Sequence, residues 1–172
     1  MFVKTGRHVG RIALSAIIAC CCITFTAAPA SAALIAYWDF NDSVGTSGPP
    51  NLVVDQGIGT LTHNFTDPNP NVTHFTGTNI GALPGVPPVN RAMALVAGTG
   101  SINNGKEIVI AVNTTGQTGI VMTYATQRTA EGFNSDQVAY STNGGGLFTD
   151  YQAPYDPSLS FALRTVDFGS LL

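Results

Sequence analysis

The chain has 172 residues, with seven basic and ten acidic side chains and a formal net charge of −3. An acidic protein is repelled by the phosphate backbone of nucleic acids and by anionic membrane surfaces, so neither is expected as a partner. The length suits one ordinary domain with a single hydrophobic core.

The first 32 residues have the three parts of a secretory signal peptide. A basic start, MFVKTGRHVGR, precedes the apolar run IALSAIIACCCITF, and the small residues APASA end at Ala32. The apolar run is shorter than the ~20 residues of a transmembrane helix, so membrane contact is expected only before cleavage. The letters IIAC also fit a lipobox with Cys20 as the lipidated residue, but apolar sequence follows Cys20 directly, which favours cleavage after Ala32.

Cleavage after Ala32 changes the composition of what remains. All three cysteines leave with the leader, so the predicted single domain, residues 33–172, has no disulfide and depends on its core. The leader also removes three basic residues and no acidic one. Four basic side chains then stand against ten acidic ones, a net charge of −6, which again argues against a nucleic-acid partner.

The domain is rich in Gly, Thr, Asn, Val and Pro, which favours strands and turns over helices. Many short strands separated by turn residues indicate an all-β fold, an antiparallel sandwich or barrel. In the first predicted strand, Leu34, Ala36, Trp38 and Phe40 fall on one face, and Trp38 is expected in the core. In chain order the predicted strands are LIAYWDF (34–40), GTLTHNF (59–65), RAMALVA (91–97), EIVIAV (107–112), GIVMTYAT (119–126), QVAYST (137–142), LFTDYQ (147–152) and FALRTV (161–166).

The stretch YSTNGGGLFTDY (140–151) joins two of these strands. The pair Asn143-Gly144 favours a tight hairpin turn, because both residues tolerate positive φ. We expect Ser141 and Asn143 to bond back to the turn backbone, and Phe148 to fold over the hairpin onto the core. The spacing S-x-N-x-G-x-x-F resembles the Asp-box of sialidase-type propellers, with Asn in place of Asp. A single copy without repeats predicts a turn that serves folding and not chemistry.

Two longer stretches resemble known secreted proteins. ALIAYWDFND, followed by VVDQG, resembles the opening strand of laminin-G-like (concanavalin A-like) jelly rolls. TGIVMTYATQRTAEGFNSDQVAYSTNGG (118–145) resembles a segment of exported proteins of Gram-negative bacteria, often of the PEP-CTERM sorted type. The resemblance implies an antiparallel β-sandwich of jelly-roll type, extracellular or in the cell envelope, and supplies no catalytic residues.

PEP-CTERM proteins end in a Pro-Glu-Pro motif, an apolar helix and a basic tail, whereas this sequence stops at Leu172 directly after a strand pattern. We therefore expect either a sandwich truncated at its C-terminus or a free secreted relative.

Patterns that carry catalysis are scarce. Glycoside hydrolysis needs two carboxyl groups roughly 5 to 9.5 Å apart, and only two glutamates, Glu107 and Glu131, follow the leader. Glu107 is expected on a solvent-facing strand edge and Glu131 in a loop. The sequence has no G-x-S-x-G elbow and no nucleotide-binding glycine motif. We predict a protein that is not an enzyme.

Metal binding is predicted only for calcium. Asp39, Asp42 and Asp136 place hard oxygen donors in loops, as a calcium site requires, although Asx turns explain the same residues. No other cofactor is expected. With no cysteine after the leader, a structural zinc site is excluded, and His63 and His74 are expected at the surface.

Aromatic side chains late in the chain suggest a binding surface. Tyr151, Tyr155 and Arg128 are the predicted ligand-binding residues, because sugars stack on exposed rings beside polar side chains. The predicted function is adhesion or polysaccharide binding, with extracellular polysaccharide or envelope components as partners. The alternatives are a secreted glycan-cleaving hydrolase with a concanavalin A-like fold and a purely structural envelope protein.

Overall fold

The computed structural model describes residues 33–41, 48–66, 72–85 and 91–169. The predicted signal peptide, residues 1–32, lies outside these ranges. Within them the chain forms strands and one 3₁₀ turn at Thr99–Ser101, with no helix long and apolar enough to cross a membrane. The strands are β1 (Ala36–Tyr37), β2 (Gln56–Gly57), β3 (Gly59–His63), β4 (Val72–Thr76), β5 (Arg91–Leu95), β6 (Ile108–Val112), β7 (Val121–Thr126), β8 (Ala139–Tyr140), β9 (Thr149–Asp150) and β10 (Ala162–Asp167).

These strands pair antiparallel in five separate ladders of two strands each: β1–β2, β3–β6, β4–β5, β7–β10 and β8–β9. The predicted all-β, antiparallel character is therefore confirmed for the described residues. The described strands do not join into the two larger sheets of a sandwich, so the jelly-roll order stays a prediction.

The pairing is nested twice along the chain. The ladder β3–β6 encloses the hairpin β4–β5, and we call this arrangement the first nested unit. The ladder β7–β10 encloses the hairpin β8–β9, and we call this the second nested unit. The sequence gives no sign of this repetition. The two nested units share the order in which their strands pair, but their amino-acid sequences are not similar.

An aromatic contact links the two nested units. The rings of Phe65 and Phe133 form a T-shaped pair, with ring centroids 6.0 Å apart and an interplanar angle of 75°. Full burial of a phenylalanine contributes ~1.5–3 kcal/mol; Phe65 is buried and Phe133 is half-buried, so this contact favours packing of the two units. The buried hydrophobic side chains are Leu61, Phe65, Val72, Val166 and Phe168.

The first predicted strand is much shorter than expected. Only Ala36–Tyr37 pairs, with β2, and Leu34 is 47% exposed. Phe40 has a φ of 58°, a left-handed conformation that ends the alternation of a strand. The single-face arrangement of Leu34, Trp38 and Phe40 is therefore wrong. Trp38 is half-buried, and its indole Nε1 donates to the Leu52 carbonyl oxygen at 3.1 Å.

The strand β4 was not predicted, and it explains a second correction. His74 is 4% exposed, so the expectation of a surface histidine is wrong. The period of a strand is two residues, which places His74 in phase with the buried Val72.

The loop 141–148 between β8 and β9 has the predicted side-chain hydrogen bonds, but its turn lies at different residues from those expected. The Ser141 Oγ accepts a hydrogen bond from the Gly145 N–H at 3.1 Å, and the Asn143 Oδ1 accepts from the Leu147 N–H at 3.0 Å. Positive φ falls on Gly144 and Gly145, at 72° and 87°, and not on Asn143. The tight Asn-Gly turn is therefore wrong.

Phe148 is the last residue of this loop and is 45% exposed, so its expected role as a cap on the core is also wrong. The β8–β9 ladder already ends at the pair Tyr140 and Thr149. A longer, solvent-facing loop replaces the compact hairpin end that would have brought the ring inward.

Candidate functional site

A cleft of about 360 Å³ opens between the two nested units. One wall comes from the loop that leads into β6, and the other from the segment between β7 and β8. We call it the polar cleft, because side-chain amides, hydroxyls and a carboxylate line most of it. Its lining residues are Ala97, Ser101, Asn104, Gly105, Glu131, Gly132, Phe133, Asn134 and Ser135.

The first wall is fixed by a buried amide beneath it. Asn103 is 1% exposed, and its Nδ2 donates to the Val96 carbonyl oxygen at 2.8 Å. Its Oδ1 accepts from the Thr66 N–H at 3.2 Å, which ties the loop to the chain beyond β3. Ser101 has a φ of 60°, a conformation that costs a non-glycine residue of order 1–3 kcal/mol. The surrounding hydrogen bonds hold this strained residue at the rim of the cleft.

The second wall is fixed by a turn and an aromatic contact. The Gly132 N–H donates to the Thr129 carbonyl oxygen at 3.0 Å, which bends the chain toward the cleft. Phe133 then packs on the buried Phe65, as described above, while it also lines the cleft. Both walls are therefore set before any ligand arrives.

The chemistry of the polar cleft is that of hydrogen bonding. Amide side chains at Asn104 and Asn134 both donate and accept, serine hydroxyls do the same, and Glu131 accepts. Glu131 is the single acidic residue among those that line it. Glu107, the other glutamate, is exposed at the strand edge as predicted, and its Oε1 accepts from the Asn64 Nδ2 at 3.4 Å.

The predicted ligand-binding tyrosines line a second and much smaller concavity. Tyr151, Gln152, Tyr155 and Arg164 are among its walls, and its volume is about 10 Å³, close to that of one water molecule. We call it the tyrosine hollow. The Tyr151 hydroxyl donates to the Asp167 carbonyl oxygen at 3.0 Å, which holds that ring in place.

Arg128, the third predicted ligand-binding residue, does not line the tyrosine hollow. Its guanidinium donates two hydrogen bonds to the Asp156 carboxylate, from Nε to Oδ1 at 2.7 Å and from Nη2 to Oδ2 at 3.2 Å. Asp156 adjoins Tyr155 in the chain, so the structure places Arg128 beside the hollow but already paired.

A hydrogen-bonded cluster fixes Tyr155. Its hydroxyl lies 2.9 Å from the Tyr124 hydroxyl and donates to the Asp136 Oδ2 at 3.5 Å. Burial raises the pKa of Tyr155 far above its usual range, and the hydrogen bond with Tyr124 adds to that shift. Burial also raises the pKa of Asp136. Arg164 lies over the face of the Tyr155 ring, with its Cζ 3.7 Å from the ring centroid.

Sequence reasoning missed Arg164, although a signal was present. Alternation along FALRTV puts Arg164 on the same face as Ala162 and Val166, and that face is the more buried one in β10. A lone cation on the apolar face of a strand needs a partner or a function.

The predicted calcium ligands are not gathered in one place by the described residues. The Asp39 Oδ1 accepts from the Asn41 N–H at 2.8 Å, as in an Asx turn, while Asp136 belongs to the cluster at Tyr155. Asp42 lies outside the described residues. Across the ranges that the structure describes, no group of three His, Cys, Asp or Glu side chains could hold a metal ion.

Comparison with protein-family models, with curated proteins and with solved structures finds no match to this chain. The function is therefore inferred from the geometry of the polar cleft and the tyrosine hollow.

Proposed function

We propose that residues 33–172 form an exported, non-catalytic β-domain that binds extracellular polysaccharide in the polar cleft. The jelly-roll sandwich, the likeness to PEP-CTERM-type exported proteins and the location outside the cell belong to the same proposal. The observation that carries it is the combination of amide, hydroxyl and carboxylate side chains with one aromatic ring around a preformed volume of about 360 Å³.

The size and lining of the cleft suit a sugar. Ligand sites commonly have volumes of about 300–1,000 Å³, so one or two sugar rings fit. Sugar hydroxyls donate and accept at once, and Asn104, Asn134 and Ser135 offer the matching groups. Phe133 supplies an apolar surface against which the C–H face of a pyranose packs.

The number of carboxylates in the polar cleft supports binding and not cleavage. Cleavage of a glycosidic bond uses an acid and a second carboxyl group across the bond. Glu131 lines the cleft, but none of the other eight lining residues is acidic.

The test is direct binding of the intact chain to a panel of soluble and insoluble polysaccharides, measured by titration calorimetry and pull-down. We expect at least one polysaccharide to bind, and Asn104→Ala and Asn134→Ala each to weaken that binding about tenfold, which corresponds to ~1.4 kcal/mol. Asn79→Ala is the matched control, because Asn79 is an exposed amide outside the cleft. Absence of binding across the panel would overturn the proposal, and so would equal binding by all three variants. Release of new reducing ends would favour the hydrolase alternative.

A further inference from the structure

Among the residues that the structure describes, Arg164 is a half-buried cation without a counter-charge. It lies in the middle of β10, and among the described residues its guanidinium has neither an ion-pair nor a hydrogen-bond partner. Arg128 contrasts with it, because Asp156 occupies that guanidinium with two bonds. A partly desolvated charge is unfavourable unless it is compensated, so an anionic ligand would be favoured at Arg164.

The stacking on Tyr155 leaves the binding edge of the guanidinium open. The ring covers one face of the planar group, with Cζ 3.7 Å from the centroid. The N–H donors of arginine point outward in its plane, so they stay available to a ligand while the face is covered. Two of these donors match the two oxygens of a carboxylate in a bidentate pair.

The platform beneath Arg164 is rigid. Tyr155 is held through its hydroxyl by Tyr124 and Asp136, and its backbone exchanges two hydrogen bonds of 2.9 Å with Asp136. The Gln137 Nε2 also donates to the Gln152 carbonyl oxygen at 2.6 Å. The ring on which Arg164 stacks is therefore held in position before a ligand binds, which reduces the entropy lost on binding.

We propose that Arg164 binds a carboxylate group of an acidic, uronic-acid-bearing polysaccharide. This inference rests on the proposed function and names the class of polysaccharide. The segment 131–138 connects the two places, since residues 131–135 line the polar cleft and Val138 lines the tyrosine hollow. Three residues of extended chain span at most ~10 Å, so the backbones of Ser135 and Val138 are no farther apart than that, and the proposal is that one polysaccharide chain contacts both places.

Two features oppose an anion: the net charge of −6 that remains after the leader is removed, and the nearby carboxylate of Asp136. Asp136 lies at the hydroxyl end of Tyr155, and Arg164 lies over its ring. Tyr155 donates a hydrogen bond to Asp136, which disperses part of that negative charge. Arg164 is the single charged residue among those that line the tyrosine hollow, so it is the side chain expected to meet the carboxylate.

The experiment compares an oligogalacturonate with its methyl ester, which has the same sugar backbone without the negative charges. We expect the intact chain to bind the acid at least tenfold more tightly than the ester at low salt, and this preference to shrink as salt rises. Arg164→Gln should abolish the preference and keep the affinity for the ester. Arg91→Gln, which removes the same charge from β5, should keep the preference.

The outcomes separate the two proposals. Equal binding of acid and ester by the unaltered chain would overturn the arginine site and leave polysaccharide binding intact, and so would a preference that survives in Arg164→Gln. Failure of both oligomers to bind would overturn the arginine site, while the wider polysaccharide panel decides the proposed function. Thermal unfolding checks that each variant folds. If Arg164→Gln does not fold, Arg164→Lys keeps a point charge without the planar fork and should lose several-fold in preference.

Discussion

Replacing Asn103 by alanine tests whether a buried amide holds the wall of the polar cleft. Asn103 is 1% exposed, and its side chain bonds the Val96 carbonyl oxygen and the Thr66 N–H. Asn103→Ala removes both bonds and leaves both backbone groups without that partner. The free energy of unfolding should therefore fall.

The magnitude follows from the exposure of the two partners. Val96 is half-buried, so losing its partner costs ~1–2 kcal/mol, whereas Thr66 is exposed and water replaces much of its bond, at ~0.5–1 kcal/mol. The sum is ~1.5–3 kcal/mol, equivalent to a drop of ~3–12 °C in Tm for a domain of this size.

The assay is urea unfolding followed by circular dichroism, with calorimetry for Tm. Asn104→Ala is the matched control, since Asn104 is the exposed neighbour and its loss should change stability by less than ~0.5 kcal/mol. The two variants should separate stability from binding, because Asn104→Ala weakens polysaccharide binding without unfolding the domain. A loss below ~1 kcal/mol in Asn103→Ala would refute the assignment of Asn103 as the support of this loop.

Three further predictions concern other parts of the chain. Gly57→Ala should destabilise the fold by more than ~2 kcal/mol in urea unfolding, because a Cβ there overlaps the Ile35 carbonyl oxygen at positive φ, whereas Gly116→Ala, also at positive φ but in open space, should lose only ~1 kcal/mol. Equal losses would contradict this. Asn143→Ala should cost ~1 kcal/mol in the same assay, while Asn143→Asp keeps the acceptor for the loop amide and should cost nothing measurable. Burial raises the pKa of Asp136, so the folded state holds that proton more tightly than the unfolded state, and stability should fall as pH rises above the usual aspartate range of ~4. Urea unfolding at several pH values should show this slope reduced in Asp136→Asn, and an unchanged slope would refute the role of Asp136.

The sequence predicted most of the strands, because alternation and turn residues act locally. RAMALVA, EIVIAV and FALRTV each contain a strand within one residue or two of the expected bounds. The bonds of Ser141 and Asn143 within their loop were also predictable, since both reach groups two to four residues away. Prediction failed at Phe40, where positive φ ended a strand that propensity alone would have continued.

The polar cleft was not predictable, because its walls are 26 to 38 residues apart in sequence. The loop around Asn104 and the segment around Asn134 each indicate an ordinary turn when taken alone. Only the nested pairing of the strands and the contact between Phe65 and Phe133 bring them together. Arg164 was the exception, since its place on the buried face of a strand could be read from alternation.

The most direct test of the account is to map an oligosaccharide that binds the intact chain by the changes it causes in backbone amide NMR signals. Shifts should concentrate in two segments, 97–105 and 131–135, and an acidic oligosaccharide should add shifts around Arg164. Shifts spread over other parts of the chain, with these segments unchanged, would contradict the assignment of the polar cleft as the binding site.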